Sequence, residues 1–254
     1  MRSGHAETAP ADVLTAGVGV RYSGSWGLRL ASFRLDAPAA GGTALGVVTS
    51  PAPSSSSAVL VDLLSGRAAP AYGYLRVLGQ DMGTAHGRAG VRRQVGIASH
   101  HSRVLPATRV RSLVARAARA AVHPASDRHL LVAAILDRLA LTAWADVPLR
   151  SAPDLVARKA RLAAACVHQP KLLIIDGLLD QLAEIDTTVL TDAIRNVGRD
   201  TAIIALGHDA AALSLICDQT LELTAGIVIG DHSPDLPRWQ SPFGGPLPLT
   251  PVNA

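Results

Sequence analysis

Apolar and polar positions change period several times along the chain, and each change marks an element. Val13 to Tyr22, Leu28 to Leu35 and Thr43 to Val48 are short runs of β-branched and apolar residues separated by Gly, Ser and Pro, which predicts three strands. A polar stretch from Ser50 to Ser57 follows. Ala58 to Leu64 is then apolar at helical spacing and closed by Ser65-Gly66, giving strand, loop, helix. Tyr72 to Leu78 and Gln94 to Ala98 predict two more strands. From Thr108 to about Ala145, Ala, Leu and Arg recur at three- and four-residue spacing, split by His123-Pro124, which predicts a compact helical insertion. A helix from about Pro153 to His168 leads through Gln169-Pro170 into Lys171-Leu172-Leu173-Ile174-Ile175-Asp176, a continuous apolar run suited to a central parallel strand. Helix Thr187 to Val197, strand Thr201 to Leu206, helix Ala210 to Ile216 and strand Gln219 to Leu223 complete alternating units, so the fold class is α/β.

The 254 residues suit one large domain, or one domain with an inserted subdomain. Residues 1–10 are expected to be a flexible N-terminus. The tail 231–254, with prolines at 234, 237, 246, 248 and 251, is expected to be disordered. A hydrophobic share of 48% with 17% charged residues describes a globular chain. The net charge of +4 has no basic run behind it, and an aromatic share of 3% leaves few platforms for bases, so nucleic acid is not an expected partner. No stretch of 18 apolar residues predicts a membrane span. Residues 1–7 carry Glu7 and no apolar segment, so the chain is expected to be cytoplasmic rather than secreted. Cys166 and Cys217 sit in apolar segments without metal-ligand spacing and are expected to be buried thiols.

Two features carry candidate chemistry. Asp176 ends an apolar strand, where a carboxylate either caps the following loop or holds Mg²⁺ as a Walker B residue. His208 ends the next strand, at the edge of an α/β sheet where ligands bind. In order and spacing, these pieces resemble the ATP-binding subunit of an ABC transporter over about residues 11–230. Leu162 to Asp176 looks like that family's signature helix running into Walker B. Gly207-His208-Asp209 looks like its H-loop, and Cys217 to Leu223 with Gly226-Ile227-Val228 like its closing strands. Tyr22 falls where the family stacks an aromatic on adenine, and the helical stretch at about 100–159 falls where it inserts a helical subdomain. The resemblance implies a P-loop NTPase-like nucleotide-binding domain with an antiparallel β subdomain. It also implies ATP and Mg²⁺ as ligands, head-to-tail pairing with a second ATPase subunit, and a membrane permease docked beside the helical subdomain, near His100 to Leu113.

The departures fall on the chemistry. The phosphate-binding loop should occupy Pro51 to Val59, which reads Pro-Ala-Pro-Ser-Ser-Ser-Ser-Ala-Val. Such a loop needs glycines so that its N–H groups converge on phosphate, a Lys for the β/γ charge, and a hydroxyl for Mg²⁺. Here Ser57 stands at the Lys position and Ala58 at the hydroxyl position, while Pro51 and Pro53 each remove a donor. The serine run also reads as a solvated loop with an N-cap. His100 replaces the Q-loop glutamine, and its pairing with His101 lacks the further ligands of a metal site. Gly177 replaces the glutamate that polarises water, so no catalytic residue is expected. Ala183 stands at the D-loop aspartate position, with Asp180 and Asp186 displaced from it. Ala152, Pro153, Asp154, Leu155 and Val156 replace the signature core. Asp154 is expected to act as a helix-start carboxylate that repels a γ-phosphate.

The candidate nucleotide contacts are therefore Tyr22, Ser54, Ser55, Ser56, Ser57, His100, Asp176 and His208, with Asp176 also the candidate for metal. The expected function is that of a degenerate, hydrolysis-deficient subunit, regulatory or structural, in a heteromeric transporter at the inner face of the cell membrane. ATP and Mg²⁺ binding are expected to be weak or absent. Two alternatives stand beside it: an active ATPase using unconventional groups, and a free-standing scaffold.

Overall fold

The first two apolar runs extend into an antiparallel pair, β1 (Ala11–Tyr22) and β2 (Ser25–Asp36). The computed structural model describes residues 11–229 apart from 23–24, 37–42, 50–55, 121–123, 125 and 200. The two terminal segments expected to be flexible and disordered lie outside the described residues. Val13, Thr15 and Val18 of β1 and Leu28, Ala31, Phe33 and Leu35 of β2 point inward, as in a sheet covered on one face. β3 (Thr43–Thr49) begins a second sheet and leads towards α1 (Ser56–Leu64). β4 (Tyr72–Val77) and β5 (Gln80–Asp81) return to the first sheet, whose order is β2-β1-β4-β5.

α2 (Ala85–Arg92) then precedes β6 (Val95–Ser99). The hydrophobic pattern does not announce α2, because its eight residues include two glycines and little apolar surface. Its start is local: the Thr84 hydroxyl accepts the Gly87 N–H at 3.0 Å.

The insertion expected at Thr108 to Ala145 consists of α3 (Val110–Ala120), α4 (Arg128–Arg138) and short 3₁₀ turns at Thr142–Trp144 and Leu149–Ser151. α5 (Asp154–Cys166) delivers the chain to β7 (Leu172–Asp176). After it come α6 (Glu184–Val197), β8 (Ala202–Gly207), α7 (Ala210–Ser214), β9 (Gln219–Thr224) and β10 (Ile227–Ile229).

The second sheet has the order β10-β9-β3-β8-β7-β6 and is parallel except for β10. Leu172 to Ile175 and Ala202 to Leu206 are buried on both faces, which explains their unbroken apolar character. β3 has β8 on one side and β9 on the other, so its C-terminal end lies where open α/β sheets commonly take ligands.

Two cores flank this sheet. One packs Leu45, Val47, Ile174 and Ile204 against α1 and the first sheet, around Leu60, Leu64, Leu28 and Phe33. The other packs Leu173, Ile175, Ile203 and Ala205 against α5, α6 and the helical insertion. The insertion therefore shares a core with the sheet, and α5 runs unbroken through residue 159. Val110 is fully buried and Leu113 is 7% exposed. These two cannot belong to a docking surface near His100 to Leu113, because α3 turns them into the core. Leu105, in the loop ahead of α3, is the exposed apolar residue there.

Candidate functional site

Thr49, Ser99, Asp176 and Gly207 end the parallel strands β3, β6, β7 and β8, so one edge of the sheet gathers the candidate chemistry. The edge is knitted by inward hydrogen bonds. Ser99 Oγ donates to Asp176 Oδ2 at 2.7 Å, and the His100 N–H donates to the Asp176 carbonyl at 2.9 Å. The buried Thr49 hydroxyl donates to the Gly207 carbonyl at 3.3 Å. His208 Nδ1 lies 2.9 Å from the Thr49 carbonyl, which only accepts, so Nδ1 carries the proton. His208 Nε2 faces Asp180 Oδ2 at 3.8 Å, and the His208 N–H donates to Asp180 Oδ1 at 2.8 Å.

Gly177 follows Asp176 with φ +66°, a left-handed conformation that costs an L-residue strain. A Cβ placed there would stand 2.7 Å from His101 Nε2 and 3.4 Å from Asp180 Oδ2. His101 thus fills the space into which a side chain at 177 would project. His100 turns the other way, towards α5: burial first, and then the Arg158 guanidinium, hold its imidazole below the usual histidine range against the pull of Asp154. Its Nδ1 is buried without a hydrogen-bond partner.

In the signature-like segment, Pro153 and Asp154 are exposed, Ala152 and Leu155 half-buried and Val156 buried. Asp154 lies in the first turn of α5, as expected from its position. Its side chain is 56% exposed, and Oδ2 accepts Arg158 Nε at 2.8 Å one turn along the helix. The i, i+4 spacing of Asp154 and Arg158 signals this ion pair in the sequence.

Among the remaining candidates, Ser56 is buried, Ser57 half-buried and Ala58 exposed, all in the first turn of α1. Ser54 and Ser55 lie outside the described residues, and of Tyr22 only the backbone at the end of β1 is described. The edge brings together Asp176, His208 and three residues absent from the candidate set, Thr49, Ser99 and Asp180. Strand-end position was the one clue to the first two.

Tested against Mg²⁺-ATP, the described residues do not fit. No ammonium stands at position 57, no hydroxyl at 58 and no carboxylate at 177. The chain's lysines do not substitute, since Lys159 is on α5 and Lys171 precedes β7 at the opposite end of that strand from Asp176. Among the described residues, no three His, Cys, Asp or Glu side chains are grouped to hold a metal ion, and no helix is long and apolar enough to cross a membrane.

No protein-family model matches the chain. Among curated proteins it is 29% identical over 194 residues to the methionine import ATP-binding protein MetN 2 of Burkholderia mallei, covering 74% of this chain and 47% of that protein. It is 28% identical over 175 residues to the methionine import ATP-binding protein MetN of Caulobacter vibrioides, covering 67% and 52%. The chain thus spans about half the length of the curated relatives it matches. Among solved structures, cbiO1 from Clostridium perfringens, part of the ABC transporter complex cbiONQ, superposes with a TM-score of 0.71 at 18% identity, covering 86% of this chain and 87% of that one. An ATP-binding subunit of an ABC transporter gives 0.68 at 16% identity, with coverages of 85% and 87%. The resemblance read from the sequence is borne out: the fold is that of an ABC nucleotide-binding domain, and the sequence relatives are ATP-binding subunits of ABC transporters.

Proposed function

We propose that this chain is an ATP-binding-cassette subunit that does not hydrolyse ATP and serves as a regulatory or structural partner in a heteromeric ABC transporter. It sits beside an intact ATPase subunit and a membrane permease, peripherally at the inner face of the membrane. The observation that carries the reading is Gly177. Where a general base is needed, the chain has a residue without a side chain, in a left-handed conformation, with His101 in the space a side chain would take. Ser57 and Ala58 remove the phosphate-neutralising and metal-binding groups as well, and each of the three is a first-order element of phosphoryl transfer.

Two surfaces support a partner-bound role. Leu105 is 74% exposed in the loop between β6 and α3. A groove of about 420 Å³ between α1, α2, β6 and the ends of α3 and α5 sets Arg67, Arg92 and Arg93 around Val95 and Ile97, a lining suited to a helix with an acidic face. The test is steady-state phosphate release from purified protein beside Asp176→Asn. Equal, background rates are expected. Turnover in the parent that disappears in the variant overturns the reading.

A further inference from the structure

We infer that Arg158 is a positioning residue that holds the loop after β7, and through it His208, in one arrangement without any nucleotide. Arg158 is 3% exposed, in the second turn of α5. Beyond its bond to Asp154, its Nη1 donates to the carbonyls of Leu178 at 2.7 Å and Asp180 at 2.8 Å, with that of Gly177 at 3.4 Å. One buried cation thus gathers the carbonyls of a single short loop, groups that would otherwise be left unpaired beside a dry core.

The loop passes the constraint on. Asp180, with its side chain 12% exposed, accepts the His208 N–H on Oδ1 and faces His208 Nε2 with Oδ2, while His208 Nδ1 donates to the Thr49 carbonyl. A continuous set of polar contacts therefore runs from the start of α5 to the ends of β8 and β3. The planar guanidinium suits this task, because its fork of donors serves Asp154 and the carbonyls at once; an ammonium cannot reproduce it. The inference concerns the edge treated above but stands whether or not nucleotide binds there.

The test is amide hydrogen exchange by NMR together with the ¹⁵N shifts of the His208 ring. The variants are Arg158→Met, which keeps the stem and removes the donors, Arg158→Lys, which keeps the charge, and Asp154→Asn, which keeps the carbonyl contacts. In Arg158→Met the His208 and Gly177 amides should exchange at least about tenfold faster, while amides of β1 and β2 keep their rates. The His208 ring should lose its Nδ1–H preference. Arg158→Lys should fall between Met and the parent, and Asp154→Asn should change exchange less than about threefold. Parent-like His208 exchange and tautomer in folded Arg158→Met overturn the inference, as does a uniform acceleration of all amides. If Arg158→Met fails to fold, Arg158→Lys decides: parent-like His208 exchange there overturns it. Phosphate release measured on the parent with Mg²⁺-ATP separates the two readings, since turnover lost in Asp176→Asn sinks the non-hydrolysing proposal and leaves the role of Arg158 intact.

Discussion

Replacing Gly177 with alanine or glutamate probes the geometry at the end of β7. Forcing an L-residue to φ +66° costs about 1–2 kcal/mol. The new Cβ would also meet His101 Nε2 at 2.7 Å, and since His101 is exposed its ring can swing aside, at the cost of about 0.5–1.5 kcal/mol for leaving its rotamer. Gly177→Ala should therefore lose about 1.5–3.5 kcal/mol in urea unfolding, or roughly 3–14 °C in Tm for a domain of this size. Gly177→Glu should lose at least as much, because its carboxylate arrives beside Asp180 and Asp176. His101→Ala alone should be within about 0.5 kcal/mol of the parent, as for an exposed side chain. In the double variant Gly177→Ala/His101→Ala, about 0.5–1.5 kcal/mol should return, and the remaining loss is the backbone share. A Gly177→Ala protein within about 0.5 kcal/mol of the parent, or a cycle with no coupling to His101, refutes the placement of both residues. Gly177→Glu should also remain without turnover, since Ser57 and Ala58 are still in place.

Further outcomes follow from single packing and titration features. Gly96 packs against the Ala165 carbonyl, and the Cβ of Gly96→Ala would fall well inside contact with that backbone atom, so it should lose about 1–3 kcal/mol in urea unfolding. Val110→Asp buries an unpaired carboxylate in the helical core and should abolish the cooperative transition followed by circular dichroism, whereas Leu105→Asp should leave it unchanged. Burial pushes the Cys166 and Cys217 thiols up to about 12 from 9.0. Their contribution to stability is complete below pH 9 and lost as pH rises beyond it, and in native protein at pH 8 both should react with a disulfide reagent far more slowly than in urea. His100 is held below 6.5, so the unfolded chain binds its proton first and stability should fall as pH drops below 6.5. A shallower slope in His100→Gln checks this, and an unchanged slope refutes it.

The central sheet was legible because burial on both faces leaves an unbroken apolar signature, as at Leu172 to Ile175 and Ala202 to Leu206. α5 was legible because its period and the Gln169-Pro170 stop agree. α2 was not, since its formation rests on the Thr84 cap and on packing rather than on an apolar stripe. At the edge, the strand ends Asp176 and His208 could be placed from position alone. The partners that decide their state could not: Ser99 reaches Asp176 across 77 residues, and Thr49 reaches His208 across 159. Asp154 shows the limit from the other side. Its place at a helix start was readable, but its pairing depends on the loop carbonyls that hold Arg158 in turn.

The directions of these hydrogen bonds bear on what the edge offers a phosphate. A phosphate site works by leaving donors aimed outward, N–H groups and cations whose partner arrives with the ligand. Among the described residues, four side-chain donors at the edge find acceptors within the protein: Ser99 on Asp176, Thr49 on Gly207, His208 on Thr49, Arg158 on the loop carbonyls. The acceptors among them include the carboxylate of Asp176, and that of Asp180 takes the His208 N–H. A Ser57→Lys protein is expected to stay without turnover, since Ala58 and Gly177 are still in place. The same contacts tie β6 to β7, β3 to β8, and α5 to the loop after β7.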